Sequence, residues 1–298
     1  MPDSHPPIIN YEGSDYQVSF WKYGGRQYED QVEDIALRRL LPPKGSLLLE
    51  LGAGAGRNTQ RYVGFKQVVL LDYSLTQLQQ AMERLGRNQR YIYVAADIYK
   101  LPFVDGLFDT ATMIRTLHHM AEPLSALHQV RRALQPGAIF ILEYANKQNL
   151  KAIMRYIIKR QSWSPFSLES VEFEKLNYDF HPTMVRSWLK ETGFILDHQL
   201  AVSYFRLAGL KKHLPLNLLT RMDAMLQPTG KWYQFSPSVF TRSRATGDSQ
   251  KAADGLFFKC PMCGADTFNP HIAKLICQGC SRIWPIREGI FDFRSDVD

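Results

Sequence analysis

The stretch LLLELGAGAGRNT, residues 47–59, decides how this chain is read. Four leucines flank a single acid, Glu50, and then Gly52, Gly54 and Gly56 alternate with alanine. A short apolar run that ends abruptly in glycines predicts a buried strand opening into a tight turn. Glycine at such a turn lets a ligand come close to the backbone. A dinucleotide loop needs G-x-G-x-x-G. Counted from Gly52, its last glycine would fall on Arg57. The pattern present is E-x-G-x-G-x-G, which suits a nucleoside ligand without a pyrophosphate.

On either side of this stretch, strands and helices alternate. Residues 28–41 read as a helix that PPKG stops. Strands are expected at 46–51, 67–72, 91–97, 108–114 and 138–144. Helices are expected at 74–86, with Ser74 as cap and Gly86 as stop, and at 123–134. Such alternation predicts an α/β fold with a doubly wound, mostly parallel sheet. Two late strands, FILDHQLAVSYF and SPSVFTRSR, would complete seven.

In an open sheet of this kind, ligands gather at the carboxyl ends of the strands. Asp72 closes the second strand, where a carboxylate can accept from both ribose hydroxyls. Asp97 closes the third, where it can accept from an adenine amino group, and Tyr73 can stack beside the base. Each acid alone has a plainer reading, as a helix-end acid for Glu50 or a turn cap for the two aspartates. The ordered set at three successive strand ends is far more specific.

The series ELGAGAG, LLDYS, AADIYKLPFVDGLFDTATMIRTLHHM and LQPGAIFILE resembles a class I S-adenosylmethionine-dependent methyltransferase of the ubiquinone-methylase-like (methyltransferase type 11) kind. The resemblance is strong over residues 31–143. It implies a Rossmann-like seven-stranded fold, S-adenosylmethionine as cofactor and methyl transfer as the activity. By resemblance, Glu50, Gly52, Gly54 and Gly56 line the methionine part of the cofactor and Asp72 holds the ribose. Asp97 and Ile98 hold the adenine, and Arg115 lies near the sulfonium. Glu50 departs from the commonest residue there, Asp. The resemblance also suggests that Tyr16, Phe20, Trp21 and Tyr23 close over the cofactor.

The methyl group arrives on its own electrophile, so the protein has chiefly to align an acceptor and exclude water. His118 and His119 in RTLHHM offer a neutral imidazole that could take a proton, His119 being the better placed. The plainer reading is that the pair packs beneath the cofactor.

Of the formal charge of +7, residues 151–254 hold +6, with 15 Lys and Arg against 9 Asp and Glu. An anionic partner would land there. Residues 149–160 form an amphipathic helix with an apolar stripe at Leu150, Ile153, Met154, Ile157 and Ile158. Its basic stripe, Lys151, Arg155 and Lys159, could face an anionic substrate, RNA or a lipid surface, or simply solvent. The aromatic stretch to His181 is long for a plain loop, so residues 145–181 read as a substrate cap.

All four cysteines fall in the last forty residues. Cys260-x2-Cys263 and Cys277-x2-Cys280 present four thiolates with the spacing of a structural zinc site, with no position left for catalysis. The module at 256–298 follows a polar linker at 243–255, behind a methyltransferase domain at 1–242. A module this small needs a metal for stability. Its ending WPIREGI resembles YPIRDGIP in small zinc-ribbon proteins, some of which activate methyltransferases as separate subunits. That implies docking on the methyltransferase domain or help in substrate capture.

The cysteine usage, the lack of an eighteen-residue apolar run and an N-terminus without signal character lead us to expect a cytoplasmic chain with no stable membrane insertion. The expected substrate is a small or carrier-bound molecule. RNA or protein recruited by the basic segment and the ribbon is the alternative, and a silent zinc-stabilised adaptor is a second. Accepting atom and oligomeric state are left open.

Overall fold

The structure, a computed structural model, describes residues 6–9, 11–14, 21, 25–247 and 250–294. Strands β1 (Gly45–Leu51), β2 (Phe65–Asp72), β3 (Tyr91–Ala95), β4 (Phe108–Met113) and β5 (Leu134–Ala145) are parallel. Helices α1 (Gln27–Leu40), α2 (Leu75–Leu85) and α3 (Pro123–Ala133) alternate with them. A cap follows, made of α4 (Leu150–Ile157) and the hairpin of β6 (Val171–Glu174) and β7 (Asn177–Asp179). The chain then runs through α5 (Pro182–Glu191), β8 (Phe194–Val202), α6 (Ala208–His213), α7 (Leu216–Leu226) and β9 (Ser238–Ala245). Strand β9 is antiparallel to both β5 and β8.

Alternation along the strands sorts the core. Leu49, Leu51, Val69, Leu71, Ala111 and Met113 face α3 and α5. Leu48, Val68 and Leu70 face α2, while Ile141 and Phe240 face α1 and α7. Local signals place the helix starts. The Ser74 hydroxyl accepts from the Gln77 N–H at 3.2 Å, and the Asn149 side chain accepts from the Ala152 N–H at 3.0 Å.

The expected seven strands, in order β3-β2-β1-β4-β5-β9-β8, are present inside a sheet of eleven. The other four are β10 (Phe268–His271), β11 (Lys274–Cys277), β12 (Ile283–Arg287) and β13 (Ile290–Asp292). Strand β13 pairs in parallel with β3, with Ile290, Phe291 and Asp292 opposite Tyr93, Val94 and Ala95. The cysteine module is therefore docked on its own chain by main-chain hydrogen bonds. Phe258 of the module stacks on Phe103 of the main body with ring centres 6.1 Å apart, and Trp284 is buried in the same cluster.

Two expectations change. Strand β9 continues to Ala245, so Ser243, Arg244 and Ala245 belong to the sheet and not to a linker. Beyond it the chain lies along the body, where the Ala252 N–H donates to the Gly106 carbonyl at 2.9 Å. A Cβ at Gly106 would come within 2.1 Å of the Gln250 carbonyl oxygen, so glycine is required there. The second change is α4, whose buried side chain is Ala152. Its apolar stripe faces outward, with Leu150 56% and Ile157 65% exposed.

Candidate active site at the strand ends

A cavity of about 1000 Å³, including its open mouth, lies at the carboxyl ends of β1, β2 and β4. Among the residues around it are Glu50, Gly52, Gly54, Asp72, Tyr73, Ile98, Arg115 and His119. The sequence reading is assembled in one place by these eight.

The glycine loop shows why its residues are small. Gly52 and Gly54 have φ of +67° and +51°, a region that side chains disfavour. A Cβ on Gly52 would come within 2.2 Å of the Thr116 hydroxyl. At Gly54 the nearest atom to such a Cβ would be the Gln77 Oε1 at 3.8 Å, so its backbone is open to an incoming ligand. Gly56 differs from expectation, because it is absent from the cavity wall. A Cβ there would press on Leu85 and Ala81, so Gly56 lets the loop pack on α2.

Asp72 organises the opposite wall. One carboxylate oxygen accepts from the Gly54 N–H at 2.8 Å and the other from the Ser74 N–H at 3.0 Å. Burial raises its pKa, against the pull of those N–H groups. Asp97 is also not on the cavity wall. It is buried, and its carboxylate caps the turn at Ile98–Lys100 by accepting from the Tyr99 N–H at 2.8 Å. Ala96 and Ile98 on either side of it do reach the cavity.

Glu50 is 4% exposed and accepts from the Thr59 hydroxyl at 2.5 Å and the Tyr62 hydroxyl at 3.2 Å. Burial pushes it up to about 7, although those hydroxyls, Arg57 and Arg61 favour the charged form. A cationic amine beside it would draw off the proton.

Sequence reasoning named Trp21 and Arg115 but missed the Glu33 ion pairs that join Arg115 to Arg57 over these acids. Arg57 and Arg115 both bond to buried Glu33, and their guanidiniums lie 3.6 and 4.9 Å from the Trp21 ring centre. Burial would raise Glu33, but Arg115 and Arg57 hold it down to about 2. Arg115 has φ of +56°, and its N–H donates to the Glu143 carboxylate at 2.9 Å. Trp21 therefore sits where a closing residue was expected. Tyr16, Phe20 and Tyr23 lie outside the described residues.

The two histidines separate in role. His119 lines the cavity, and its Nδ1–H donates to the Leu176 carbonyl at 3.1 Å. A carbonyl can only accept, so in the neutral ring Nε2 keeps its lone pair, facing the Tyr11 hydroxyl at 3.3 Å. Burial lowers the His119 pKa, and the Leu176 bond opposes that. His118 is not on the cavity wall; its ring lies 3.9 Å from that of His119, tilted by 47°. Its Nδ1 is buried without a hydrogen-bond partner among the described residues.

At the far end, the four cysteine sulfurs lie within 4.8 Å of one another. The Cys260–Cys280 and Cys263–Cys277 separations are 3.8 and 3.4 Å. Zinc–sulfur bonds near 2.3 Å put tetrahedral sulfurs about 3.8 Å apart, so the set fits such an ion.

Comparison with known proteins agrees with this geometry. Residues 49–142 match the methyltransferase domain family. The chain is 26% identical over 208 residues to a demethylmenaquinone methyltransferase of Clavibacter sepedonicus, covering 68% of this chain and 82% of that protein. It is 27% identical over 167 residues to a ubiquinone/menaquinone biosynthesis C-methyltransferase of Pseudomonas savastanoi pv. phaseolicola. There it covers 50% of this chain and 65% of the relative, just under two thirds.

Among solved structures, a chain from the complex of the Haloferax volcanii Trm112 methyltransferase activator with a methyltransferase aligns with TM-score 0.55 and 17% identity. It covers 78% of this chain and 96% of that one. An S-adenosylmethionine-dependent methyltransferase of Listeria monocytogenes aligns with TM-score 0.54 and 17% identity, covering 75% and 100%. These two share the fold. The fold, the glycine loop and the match over residues 49–142 support a class I S-adenosylmethionine-dependent methyltransferase domain, followed by a four-cysteine cluster at the end of the chain.

Proposed function

We propose that the acceptor is a small or carrier-bound molecule, and that a quinone-like ring is the first to try. The observation that carries this is the cavity wall, which Ile114, Met120 and His119 share, His119 being bonded to the Leu176 carbonyl in the β6–β7 turn. An apolar cleft with one basic nitrogen suits a ring carbon or hydroxyl that loses a proton as it is alkylated. Two relatives are named for quinone methylation.

The cofactor supplies a methyl group on a cationic sulfur. The chain's residues do the rest. The open backbone at Gly54 and the carboxylates of Glu50 and Asp72 bind and orient. Trp21, fixed by Arg57 and Arg115, shields the site from water, and Nε2 of His119 accepts the acceptor's proton. Asp97 contributes by holding the turn that presents Ile98. The four thiolates would hold zinc as a structural ion, which keeps β10 to β13 folded against β3.

The test is transfer of labelled methyl from S-adenosylmethionine to demethylmenaquinone, to small-molecule extract, and to RNA and protein fractions. Label in a small molecule supports the proposal. Label confined to RNA or protein refutes it.

A further inference from the structure

The outward face of α4 is the feature that methyl transfer does not use. An amphipathic helix on a globular protein normally buries its apolar stripe. Here the inward contact is Ala152, while Leu150, Met154 and Ile157 point away from the body. Lys151 and Arg155 on α4, and Lys159 and Arg160 just past its end, are exposed, and α4 itself carries no acid. The patch continues on both sides. The Leu150 N–H donates to the Phe235 carbonyl at 2.8 Å, and Phe235 stacks on exposed Tyr233, next to Trp232 and Lys231. At the other end Tyr156 packs on exposed Phe166.

We propose that this face is a peripheral docking surface for a lipid bilayer with anionic headgroups. Aliphatic side chains at the centre, cations beside them and at the helix end, and tryptophan and tyrosine next to the patch match a helix lying in a bilayer interface. The charge excess of residues 151–254 supplies the complement to the headgroups. No helix is long and apolar enough to span a membrane among the described residues. A second copy is disfavoured, because a two-fold contact through α4 would set its cations against each other. RNA would engage the cations but leave the aliphatic centre without a partner. The face stands at the carboxyl end of β5, on the side where the cavity opens.

The proposal is independent of the acceptor, because its readout needs no methyl transfer. The full chain is spun with vesicles of phosphatidylcholine alone, or with phosphatidylglycerol added. It should sediment with the anionic vesicles and less at high salt. Met154→Asp and Ile157→Asp should each weaken binding about tenfold. Arg155→Glu should remove the preference for anionic lipid. All three positions are exposed, so melting temperature and cofactor affinity should be unchanged. A chain that stays in the supernatant with anionic vesicles overturns the proposal. A dimer broken by Met154→Asp would assign the face to a second copy. RNA binding lost in Arg155→Glu but kept in Met154→Asp, without vesicle binding, would assign it to nucleic acid.

Discussion

The guanidinium of Arg294 lies 5.7 Å from the centre of the Tyr73 ring. Arg294 comes just after β13, and Tyr73 lines the cavity at the strand ends. The same guanidinium reaches the Tyr73 carbonyl at 3.4 Å and Glu12 at 3.5 Å, and Asp292 braces it. Glu12 in turn accepts from the Leu75 and Thr76 N–H groups at the start of α2. The end of the cysteine module thus touches the cavity wall. Arg294→Ala should weaken S-adenosylmethionine binding two- to fivefold, equivalent to about 0.5–1 kcal/mol for a partly exposed ion pair. Calorimetry on the full chain measures it, and unchanged affinity would leave Arg294 a surface brace.

Glu50 should make cofactor binding depend on pH. Its folded pKa of about 7 is above the ordinary carboxyl value. In the free protein, the resulting stability is complete at low pH and is lost as pH rises towards 7. A cation bound beside Glu50 requires the ionised form. Affinity should therefore climb as pH rises to about 7, approaching tenfold per unit below it, and then level off. Glu50→Gln should abolish the slope and lower affinity at pH 8 by tenfold or more. Proton release measured in two buffers of different ionisation enthalpy gives an independent readout.

His119→Ala should reduce kcat by about 10² or more while leaving cofactor affinity within twofold. Burial lowers the His119 pKa below the usual histidine value, so Nε2 carries no proton at neutral pH. The kcat profile should rise with pH on the acid side and be flat from neutrality upwards. Tyr11→Phe removes a neighbour of Nε2 and should move that acid limb. His118→Asn, away from the cavity, should act mainly on stability.

Much of this site was legible because its residues sit where strands end. Glu50, Gly52 and Asp72 interrupt apolar runs, and the interruption itself locates the carboxyl edge of the sheet. Asp97 obeys the same pattern but its carboxylate is turned to the following N–H groups, a rotation that a one-dimensional pattern does not encode. The Glu33 network was invisible for a different reason. Glu33 is on α1, far from Arg57 and Arg115 in sequence, and looks like any surface acid of an amphipathic helix. The orientation of α4 was equally hidden, since periodicity shows that two faces exist but not which one meets the core.

Cys260→Ser, or a strong chelator, should release the metal and lower the melting temperature by roughly 10 °C or more, because such ions supply folding energy of many kcal/mol. Cofactor affinity should fall at least as far as in Arg294→Ala, since the arginine is held through β13. Metal analysis with a melting scan decides it. A variant that keeps both its metal and its melting temperature would remove the ion from the account.

The parallel pairing of β13 with β3 has a consequence for assembly. A free sheet edge invites other chains to add to it, and here the occupant is supplied covalently. Tethering sets the stoichiometry at one to one and the local concentration of the occupant at a value no dilution can lower. If the four thiolates hold an ion, its loss, not dilution, is what would uncover the edge. Residues 1–247 made alone would be prone to aggregate, and residues 250–298 added as a separate piece with zinc would act as their chaperone.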